Sequence, residues 1–455
     1  MLGTTSQYQI TEAVVISLAV DIEVDISRHI IALDLFENIN FPYITGTILV
    51  SDDNDLFTGK TLKFTGSETL LLQLDVPLLG GGRYTITKEF IMYEIDSMSP
   101  ANDRASLVKL NLIEKHAFVD QFKPFSKSYT GSPYSIISKI LSDETLLDIT
   151  STLSDLRATD DPVQEPMKVT IPYWTPLQAV EWLRSRCTTK NGSPYFLFST
   201  IHGDVMWWMS LDSMLRQPAW NADAPFVESV AFSQSTPNWT TPEFRTIVKK
   251  SNRGSHRSLD AAEMGALGSN ITYSNISTNT STSVDYSIAD TLVALNADNI
   301  LSDNTAQNLY NPYTTLTETK IHKLKSRYFH QIGLRTYNDH NNYFDDDSRS
   351  KIKGRVQNLA DRVLLNMNKI SIEIPGFNFM GGLSSSTQAG VGDITSIILS
   401  GNNSAEDTFS SRDEIIDIDR SGNYLTTALR HTFAGGRIST SLDGCKLVEN
   451  YTELQ

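Results

Sequence analysis

A repeated alternation of apolar and polar residues is the feature that most limits what this chain can fold into. It runs unbroken from Ile16 to Ile26 and returns at residues 70–76 and 108–112. Side chains of a strand point alternately to its two faces, so this period predicts sheets with one buried and one solvent-facing side. Several short strands at such spacing are typical of a β-barrel or a sandwich.

The middle of the chain carries helix signals instead. Ser132 and Pro133 have the residue types of an N-cap and a first helical position, and apolar residues follow at helical spacing. Thr175, Pro176 and Gln178 form a capping-box pattern ahead of a second helical segment. Apolar strands follow that second segment, so we expect a small α+β region here.

A polar stretch separates this region from the C-terminal part. Twelve of the fifteen residues from 269 to 283 are Ser, Thr or Asn, so we expect a long surface loop or insertion. Apolar spacing then predicts an amphipathic helix over 356–367. Strands are expected at 369–374, 392–399, 422–433 and 437–442, and hairpin turns at 80–82 and 434–436.

The charge and the cysteine content exclude several classes of function. The 455-residue chain has a formal net charge of -15, whereas proteins that grip phosphates carry basic surfaces, so we expect no stable or sequence-specific nucleic-acid binding. No signal peptide and no apolar run of membrane-spanning length is visible, so we expect neither export nor stable membrane insertion. Cys187 and Cys445 are too few for a disulfide framework or a zinc site, which favours reduced thiols and assembly in a cytoplasm.

The sequence lacks the motifs of common enzymes. Neither His-Glu-x-x-His nor Gly-x-Ser-x-Gly occurs. Residues 54–61 resemble a phosphate loop only at their end, because Asn54 replaces the first glycine and a strand pattern follows. The acidic runs at 52–55 and 345–347 lack the spacing of an EF-hand loop. We therefore expect no catalytic residue, no cofactor and no metal.

Trp207 and Trp208 are neighbours on a predicted strand and would point to opposite faces. Only one of them can line a given surface, which favours a role in a core or an interface over a platform for stacking sugars.

Four segments, in order along the chain, resemble the central baseplate hub proteins of T-even-type phages. Residues 29–52 have that family's strand, Phe-Glu pair, aromatic-Pro-Tyr turn and Thr-Gly strand, and residues 64–74 have its Gly-x-Glu before an apolar strand. Residues 169–187 are similar to its Ile-Pro-x-Trp helix start, and 421–433 to its Ser-Gly-x-Tyr strand that ends in His. The likeness rests on residues that we expect to be structural: Phe36, Glu37, Pro42, Tyr43, Gly46, Gly66, Glu68, Trp174, Gly422, Tyr424 and His431.

Several residues of these four segments have individual expected roles. Gly46 and Gly422 are expected to serve turn or bulge geometry rather than ligand contact, and Pro42 and Tyr43 to shape the crossover between strands. His431 is either an interface residue or a satisfied core histidine, and the core is favoured. Residues 372–379 and 390–399 look like the hairpin that precedes the last strands in the family.

The residue patterns predict a mainly β fold with an α+β middle domain and a polar insertion, and the resemblance implies two tube-like β-barrel domains within it. The polar stretch has no counterpart in the family. The expected divisions are a first barrel over 1–120, the middle domain over 121–230, strands lent to the second barrel over 231–255, the insertion over 256–350 and the second barrel over 351–455.

The resemblance also implies a homotrimer at the centre of the virion's tail baseplate. Six barrels would form a pseudo-hexameric ring that adapts a trimeric spike, which can bear a lysozyme, to the hexameric tail tube and lets DNA pass. The implied partners are other copies of the chain, the spike, the tube protein or tube initiator, and baseplate wedge neighbours.

Two other functions remain open from the sequence. A receptor- or carbohydrate-binding tail protein would show repeats if it were a fibre tip, and a tail-associated cell-wall hydrolase would show clustered titratable groups. Neither pattern is visible, so the structural hub is favoured over both.

Overall fold

The computed structural model describes residues 8–53, 56–57, 59, 62–77, 83–102, 105–147, 149, 167–185, 187, 189, 193–203, 206–228, 245–253, 258–265, 267–275, 279–287, 324–333, 365, 369–376, 378–381, 389–401, 416–417 and 420–446. Strands dominate these residues and helices are few. The expectation of a mainly β fold with a mixed middle region is confirmed.

Seven strands form the N-terminal β module and surround one apolar core. They are β1 (Gln9–Ser17), β2 (Ile22–Asp25), β3 (Ile30–Asn38), β4 (Thr45–Asp52), β5 (Glu68–Pro77), β6 (Arg83–Asn102) and β7 (Ala105–Glu114). The hydrogen-bonded order is β2-β1-β5-β6-β7-β4-β3. The alternation read at 70–76 and 108–112 is confirmed, because Leu70, Leu72, Leu74, Val76, Val108, Leu110 and Leu112 are all buried.

The middle region packs helices against two short hairpins around a second apolar core. Its elements are α1 (Lys115–Asp120), β8 (Phe125–Gly131), α2 (Pro133–Leu141), β9 (Met167–Trp174), α3 (Pro176–Arg184), β10 (Tyr195–Ser199), β11 (Met206–Ser210) and α4 (Leu211–Leu215). Both predicted helix starts are confirmed: Ser132 caps α2, and Thr175 and Gln178 complete the capping box of α3.

Seven more strands form the C-terminal β module, which has its own core. They are β12 (Phe226–Glu228), β13 (Thr246–Ile247), β14 (Lys249–Arg253), β18 (Lys369–Pro375), β19 (Ile394–Ile398), β20 (Gly422–Ala434) and β21 (Arg437–Cys445). Short helix α6 (Asn378–Gly381) follows β18.

Strand β20 joins the two β modules into one sheet of fourteen strands. Its residues 422–425 pair with β19, whereas residues 428–434 pair with β3 of the N-terminal module. Strand β21 pairs along its other edge. A register shift between Thr426 and Ala428 marks the change of neighbour.

The polar stretch is not the surface loop that its composition predicts. Helix α5 (Ser258–Glu263) leads into β15 (Gly268–Asn275), β16 (Thr280–Ser287) and β17 (Arg327–Gly333), which form a three-stranded sheet. Ile271 and Tyr286 bury one face of this sheet against the C-terminal core, while Ser, Thr and Asn hydroxyls and amides pair across the other face. A few apolar anchors at alternate positions therefore suffice to order a polar hairpin.

The predicted strand over 16–26 is also wrong. Strand β1 ends at Ser17, and the chain turns through residues 18–21, where Asp21 has φ 52°. Ser17 is buried and Leu18 is 86% exposed, the reverse of the expected faces. Apolar residues occupy both faces of β1, so alternation alone does not identify the inward side; pairing with β5 does.

The expected hairpin between 372–379 and 390–399 does not form. β18 pairs with β14 and β21, and β19 pairs with β12 and β20. β18 and β19 are apolar and close in sequence, as in a hairpin. Each of them nevertheless pairs with strands from more distant parts of the chain. The turn at 434–436 is confirmed, with Gly435 at φ 56°. The helix predicted over 356–367 and the turn at 80–82 fall outside the described residues, Leu365 excepted.

Gly46 is required by the close approach of β3 and β4. A Cβ at position 46 would lie 2.8 Å from the Asp34 carbonyl oxygen and 2.9 Å from a Leu35 methyl carbon. We expect Gly46→Ala to lower the free energy of unfolding by about 1–3 kcal/mol through overpacking, measured by urea denaturation. Gly435→Asn is the matched control, because that site is open and Asn tolerates a left-handed backbone. Equal shifts in both variants would contradict this role of Gly46.

Candidate interaction site

The Pro42 turn is where the N-terminal β module meets the middle region. It joins β3 to β4, and the Pro42 carbonyl accepts a hydrogen bond from Ser199 Oγ at 2.9 Å. His116 Nε2 lies 2.9 Å from the same oxygen. Proline restricts its own backbone torsion, and two contacts from other elements hold its carbonyl. Phe41 and Tyr43 therefore flank a proline whose carbonyl is held in place by two neighbouring elements.

Behind the turn, Glu37 and His431 form a fully buried pair across the β3–β20 ladder. His431 Nε2 lies 3.2 Å from Glu37 Oε1, and both side chains are 0% exposed. The same carboxyl oxygen accepts the Ile201 N–H at 3.0 Å, and His431 Nδ1 lies 3.1 Å from Thr440 Oγ1. One carboxyl group thus contacts both β modules and the middle region, and we call this contact the three-way junction.

His202, next to Ile201, brings a second imidazole to the three-way junction. Its Nε2 lies 2.6 Å from the Phe379 carbonyl oxygen and 3.1 Å from that of Ala389. Burial lowers the pKa of His202 below its ordinary 6.5, although the charge of Glu37 and the two carbonyl contacts act in the opposite direction. The structure therefore favours a neutral ring at this position.

The same buried surroundings also shift the pKa of Glu37. Burial by itself would raise the pKa of Glu37, but the hydrogen bond and the electrostatic interaction with His431 outweigh it, helped by His202 and by the Ile201 N–H. The net pKa of Glu37 is lowered. An ionised carboxylate is thus stabilised inside the protein by the groups that it joins.

Lys88 and Glu114 form another buried pair at the same boundary. Lys88 Nζ lies 3.2 Å from Glu114 Oε1 and donates to the Gly203 carbonyl at 2.7 Å. Glu114 Oε2 accepts the Ile44 N–H at 2.8 Å. A buried ion pair is tolerated when its remaining polar atoms find partners. Here those partners fix the turn between β10 and β11 against the N-terminal β module.

These contacts hold the walls of an open groove of about 1150 Å³, which we call the aromatic groove. It runs between the Pro42 turn, α1 and α3. Its aromatic lining residues are Phe41, Tyr43, Tyr93, Phe118, Phe122, Trp174 and Trp182. Phe41 is 49% exposed and Phe122 is 68% exposed, and large aromatic surfaces open to solvent are typical of binding surfaces.

Asp120 lies in the wall of the groove and fixes α3 against α1. Its Oδ1 accepts the Leu177 N–H at 2.6 Å, one of the free donors of the first turn of α3. Burial raises the pKa of Asp120, although the bonds from Leu177 and Thr175 and the charge of His116 lower it. The carboxyl group therefore acts as a helix cap supplied by another helix.

The structure brings some of the sequence-predicted residues together and separates others. Pro42, Tyr43 and Trp174 line the aromatic groove, and Glu37 and His431 meet at the three-way junction. His431 lies in the interior with both ring nitrogens in contact with partners, the favoured expectation.

Gly66 and Glu68 form a separate turn beneath the groove. The Glu68 carboxyl group accepts the N–H groups of Thr65, Gly66 and Ser67 at 2.8–3.1 Å. Gly66 has φ 82°, and a Cβ there would lie 2.8 Å from the carbonyl oxygen of Tyr93, a groove residue.

Phe36, Gly422 and Tyr424 lie elsewhere on the β3–β20 arrangement. The Arg430 guanidinium lies over the Phe36 ring at 5.7 Å. Gly422 begins β20 with φ 130°, and the Tyr424 hydroxyl donates to the Arg420 carbonyl. All three have structural contacts within the chain.

Sequence reasoning missed Phe122, His202 and the Lys88–Glu114 pair. Phe122 follows α1 in a segment without strand or helix period, and the other three are single polar residues whose partners lie far along the chain. Lys88 and Glu114 occupy positions in their strands where apolar residues are expected. A charged residue at such a position indicates a buried pair, because a buried charge needs a partner. Trp208 is fully buried beside Tyr195, so it is not an exposed sugar platform.

Within the ranges that the structure describes, no helix is long and apolar enough to cross a bilayer. In the same ranges, no group of His, Cys, Asp and Glu is arranged to hold a metal ion.

No protein-family model matches the sequence, and no curated protein matches it. Among solved structures, the chain is similar to a tail protein from Neisseria meningitidis, with TM-score 0.48 and 10% identity over 97% of both chains. A 43 kDa tail protein of prophage MuSo2 from Shewanella oneidensis has TM-score 0.48 and 10% identity, over 96% of this chain and 99% of that one.

A type VI secretion component from E. coli, described as structurally similar to the T4 phage tail proteins gp27 and gp5, has TM-score 0.41 and 9% identity. The match covers 98% of this chain and 77% of that one. Similarity at this level does not define a function for this chain.

Substitution at the three-way junction should lower the free energy of unfolding far more than substitution in the neighbouring Asp34–Arg430 ion pair. Glu37→Leu leaves His431 and the Ile201 N–H buried without their partner, and we expect it to cost about 3–5 kcal/mol of unfolding free energy. Asp34→Ala removes the ion pair with Arg430, whose side chain is 51% exposed, and the hydrogen bond from the Thr432 hydroxyl on the same two strands, and it should cost about 1–2 kcal/mol. Urea midpoints that shift equally in the two variants would count against the junction.

The lowered pKa of His202 predicts a loss of stability in acid. The unfolded chain binds a proton near pH 6.5 while the folded chain resists it, so the stabilisation is complete above about pH 6.5 and falls as the pH drops below that value. The lowered pKa of Glu37 adds a loss of the same sign below about pH 4.5.

Unfolding free energies measured between pH 7 and pH 5 check this prediction. The slope should be shallower for His202→Asn than for the wild-type chain, because Asn does not titrate. An identical slope in both proteins would exclude His202 as the source.

Proposed function

We propose that this chain is a structural hub of a contractile phage tail baseplate: a homotrimer whose ring adapts a trimeric spike to the hexameric tail tube. The observation that carries the proposal is the pair of seven-stranded β modules, each with its own core, joined edge to edge through β3 and β20. Three copies of a two-module chain provide six β modules, which is what a match between threefold and sixfold symmetry needs.

The order of motifs along the chain supports the same function. The Phe36-Glu37 pair, the Pro42 turn, the Trp174 helix start and the strand that ends in His431 resemble the hub family. Of their residues, Pro42 and Trp174 line the groove, and Glu37 and His431 form the junction between modules. The residues of the resemblance thus hold the arrangement of modules that the function requires.

The proposal assigns no catalytic step to the chain. Glu37 and His431, the residues most like an acid–base pair, are 0% exposed and bonded to structural partners. General acid–base catalysis needs reach to a substrate proton, which these positions do not have. Their burial supports a structural role over a cell-wall hydrolase.

The remaining assignments follow from the hub. The partners are the spike, which can bear a lysozyme, the tube protein or tube initiator, and baseplate wedge proteins, at the centre of the virion's tail baseplate after assembly in the host cytoplasm. Each copy carries a net charge of -15, so a shared channel would repel DNA and let it slide rather than bind it. We place the barrels at 1–120 and 351–455, the latter completed by strands from 231–255, with the middle domain at 121–230 and the insertion at 256–350.

The test is the oligomeric state of the full chain. We expect light scattering to give three times the chain mass of 50.7 kDa, alone or with a spike protein, and electron microscopy to show a ring with six lobes. A chain that stays monomeric with and without spike protein would refute the hub.

A further inference from the structure

Two strands that contribute aromatic residues to the aromatic groove are bulged where they reach it. In β6 the register with β7 shifts across Tyr93. In β9 the register with β8 shifts between Ile171 and Trp174, so that Pro172 and Tyr173 face a single residue of β8. β-Bulges re-aim side chains and are frequent beside functional sites. The walls of the groove therefore depart from regular strands at the places where they supply its rings.

The bulge of β9 also carries an unfavourable backbone conformation. Tyr173 has φ 46°, in the left-handed region that a bulky side chain rarely adopts. Its side chain is 72% exposed, and the next residue is Trp174 of the groove lining. Backbone strain beside an exposed aromatic ring lowers stability, and strain of this kind is concentrated at binding and catalytic sites. Tyr173 thus favours a binding role for this part of the surface.

The exposed charge among the groove's lining residues is negative. Glu181 is 52% exposed, whereas its ion-pair partner Arg184 is 3% exposed and also donates to the Tyr195 carbonyl. The pair thus turns its carboxylate to solvent and keeps its cation inside. Both residues lie near the C-terminal end of α3, which is the negative end of the helix dipole. This wall of the groove is therefore suited to a cation.

Two tyrosines of the groove are subject to the same negative potential. Burial raises the pKa of Tyr43, and the charge of Asp120 raises it further. Burial also raises the pKa of Tyr93, and the charges of Glu94 and Asp96 add to that rise. Glu94 is exposed directly beside Tyr93. Carboxylates therefore lie close to the aromatic rings on the β6 side of the groove as well as at α3.

We propose that the aromatic groove binds a basic segment of another protein. A Lys or Arg side chain is attracted to the face of a Trp or Tyr ring, and the exposed carboxylates of Glu181 and Glu94 give charge complementarity. Apolar side chains of the same segment would cover Phe41 and Phe122, which are 49% and 68% exposed. The volume of about 1150 Å³ exceeds the roughly 300–1,000 Å³ of small-molecule pockets, which favours a peptide segment over a small cation.

Selection of random twelve-residue peptides on the immobilised full-length chain tests the chemistry of the ligand. We expect the enriched peptides to have a net positive charge, with Lys or Arg spaced between apolar residues. The affinity of one enriched peptide, measured by fluorescence anisotropy, should fall as the salt concentration rises, because salt screens exposed charges.

Two variants of the full-length chain test whether the peptide binds in the groove. Phe122→Ala removes an exposed ring and Glu94→Lys reverses an exposed charge, and each should raise the dissociation constant about tenfold. Glu23→Lys is the matched control, because it makes the same charge reversal on β2, outside the groove. It should change the constant less than about twofold, since a distant surface charge is screened. Urea midpoints of the three variants should stay close to that of the wild-type chain.

Several results would overturn the inference. Selection that enriches no peptide, or peptides without an excess of Lys and Arg, would exclude a basic ligand. An unchanged dissociation constant in Phe122→Ala or Glu94→Lys would exclude the groove as its site. Equal weakening by Glu94→Lys and Glu23→Lys would assign the attraction to the overall charge of the chain.

These results are independent of the proposed hub. A monomeric chain that selects basic peptides in the groove would refute the hub and leave this inference standing. A trimeric chain that selects none would support the hub and refute this inference.

Discussion

The pairing of β3 with β20 is the contact on which the remaining structure depends. It turns two β modules into one sheet, and apolar residues cross the boundary in both directions: Phe433 and Ile438 pack in the N-terminal core, while Ile39 packs in the C-terminal core. Glu37 and His431 lie on the same two strands. Neither module could rotate against the other without exposing these side chains.

Burying polar groups at this boundary has a cost that their hydrogen bonds offset in part, since Glu37 Oε2 and His202 Nδ1 are buried without a hydrogen-bond partner among the described residues. A buried carboxylate without partners would be strongly destabilising, yet Glu37 contacts an imidazole and a backbone N–H, and Glu114 contacts an ammonium and another N–H. Such pairs add little net stability compared with apolar residues, but they penalise every arrangement in which one partner is missing. They therefore specify how the three regions sit together.

Much of the fold could be predicted from local patterns, and the rest could not for a physical reason. The Thr175 capping box and the alternation of β5 depend on neighbours in sequence, and both were read correctly. The faces of β1 and the partners of β18 depend on distant strands, and the order of the polar hairpin depends on β17 and on the C-terminal core, so the predictions for all three were wrong. Of the candidate site, sequence motifs located Pro42, Tyr43 and Trp174, whereas Phe122 enters the groove only through the packing of α1 beside α3.

The switch of β20 from β19 to β3 also determines how the molecule would carry mechanical load. Seven residue pairs connect β3 to β20, with hydrogen bonds that lie across the strands. A pull along the strand axis would stretch all these bonds together, whereas a pull across them would open the pairs one after another. The joint between the modules is thus stiff along the strands and weaker across them.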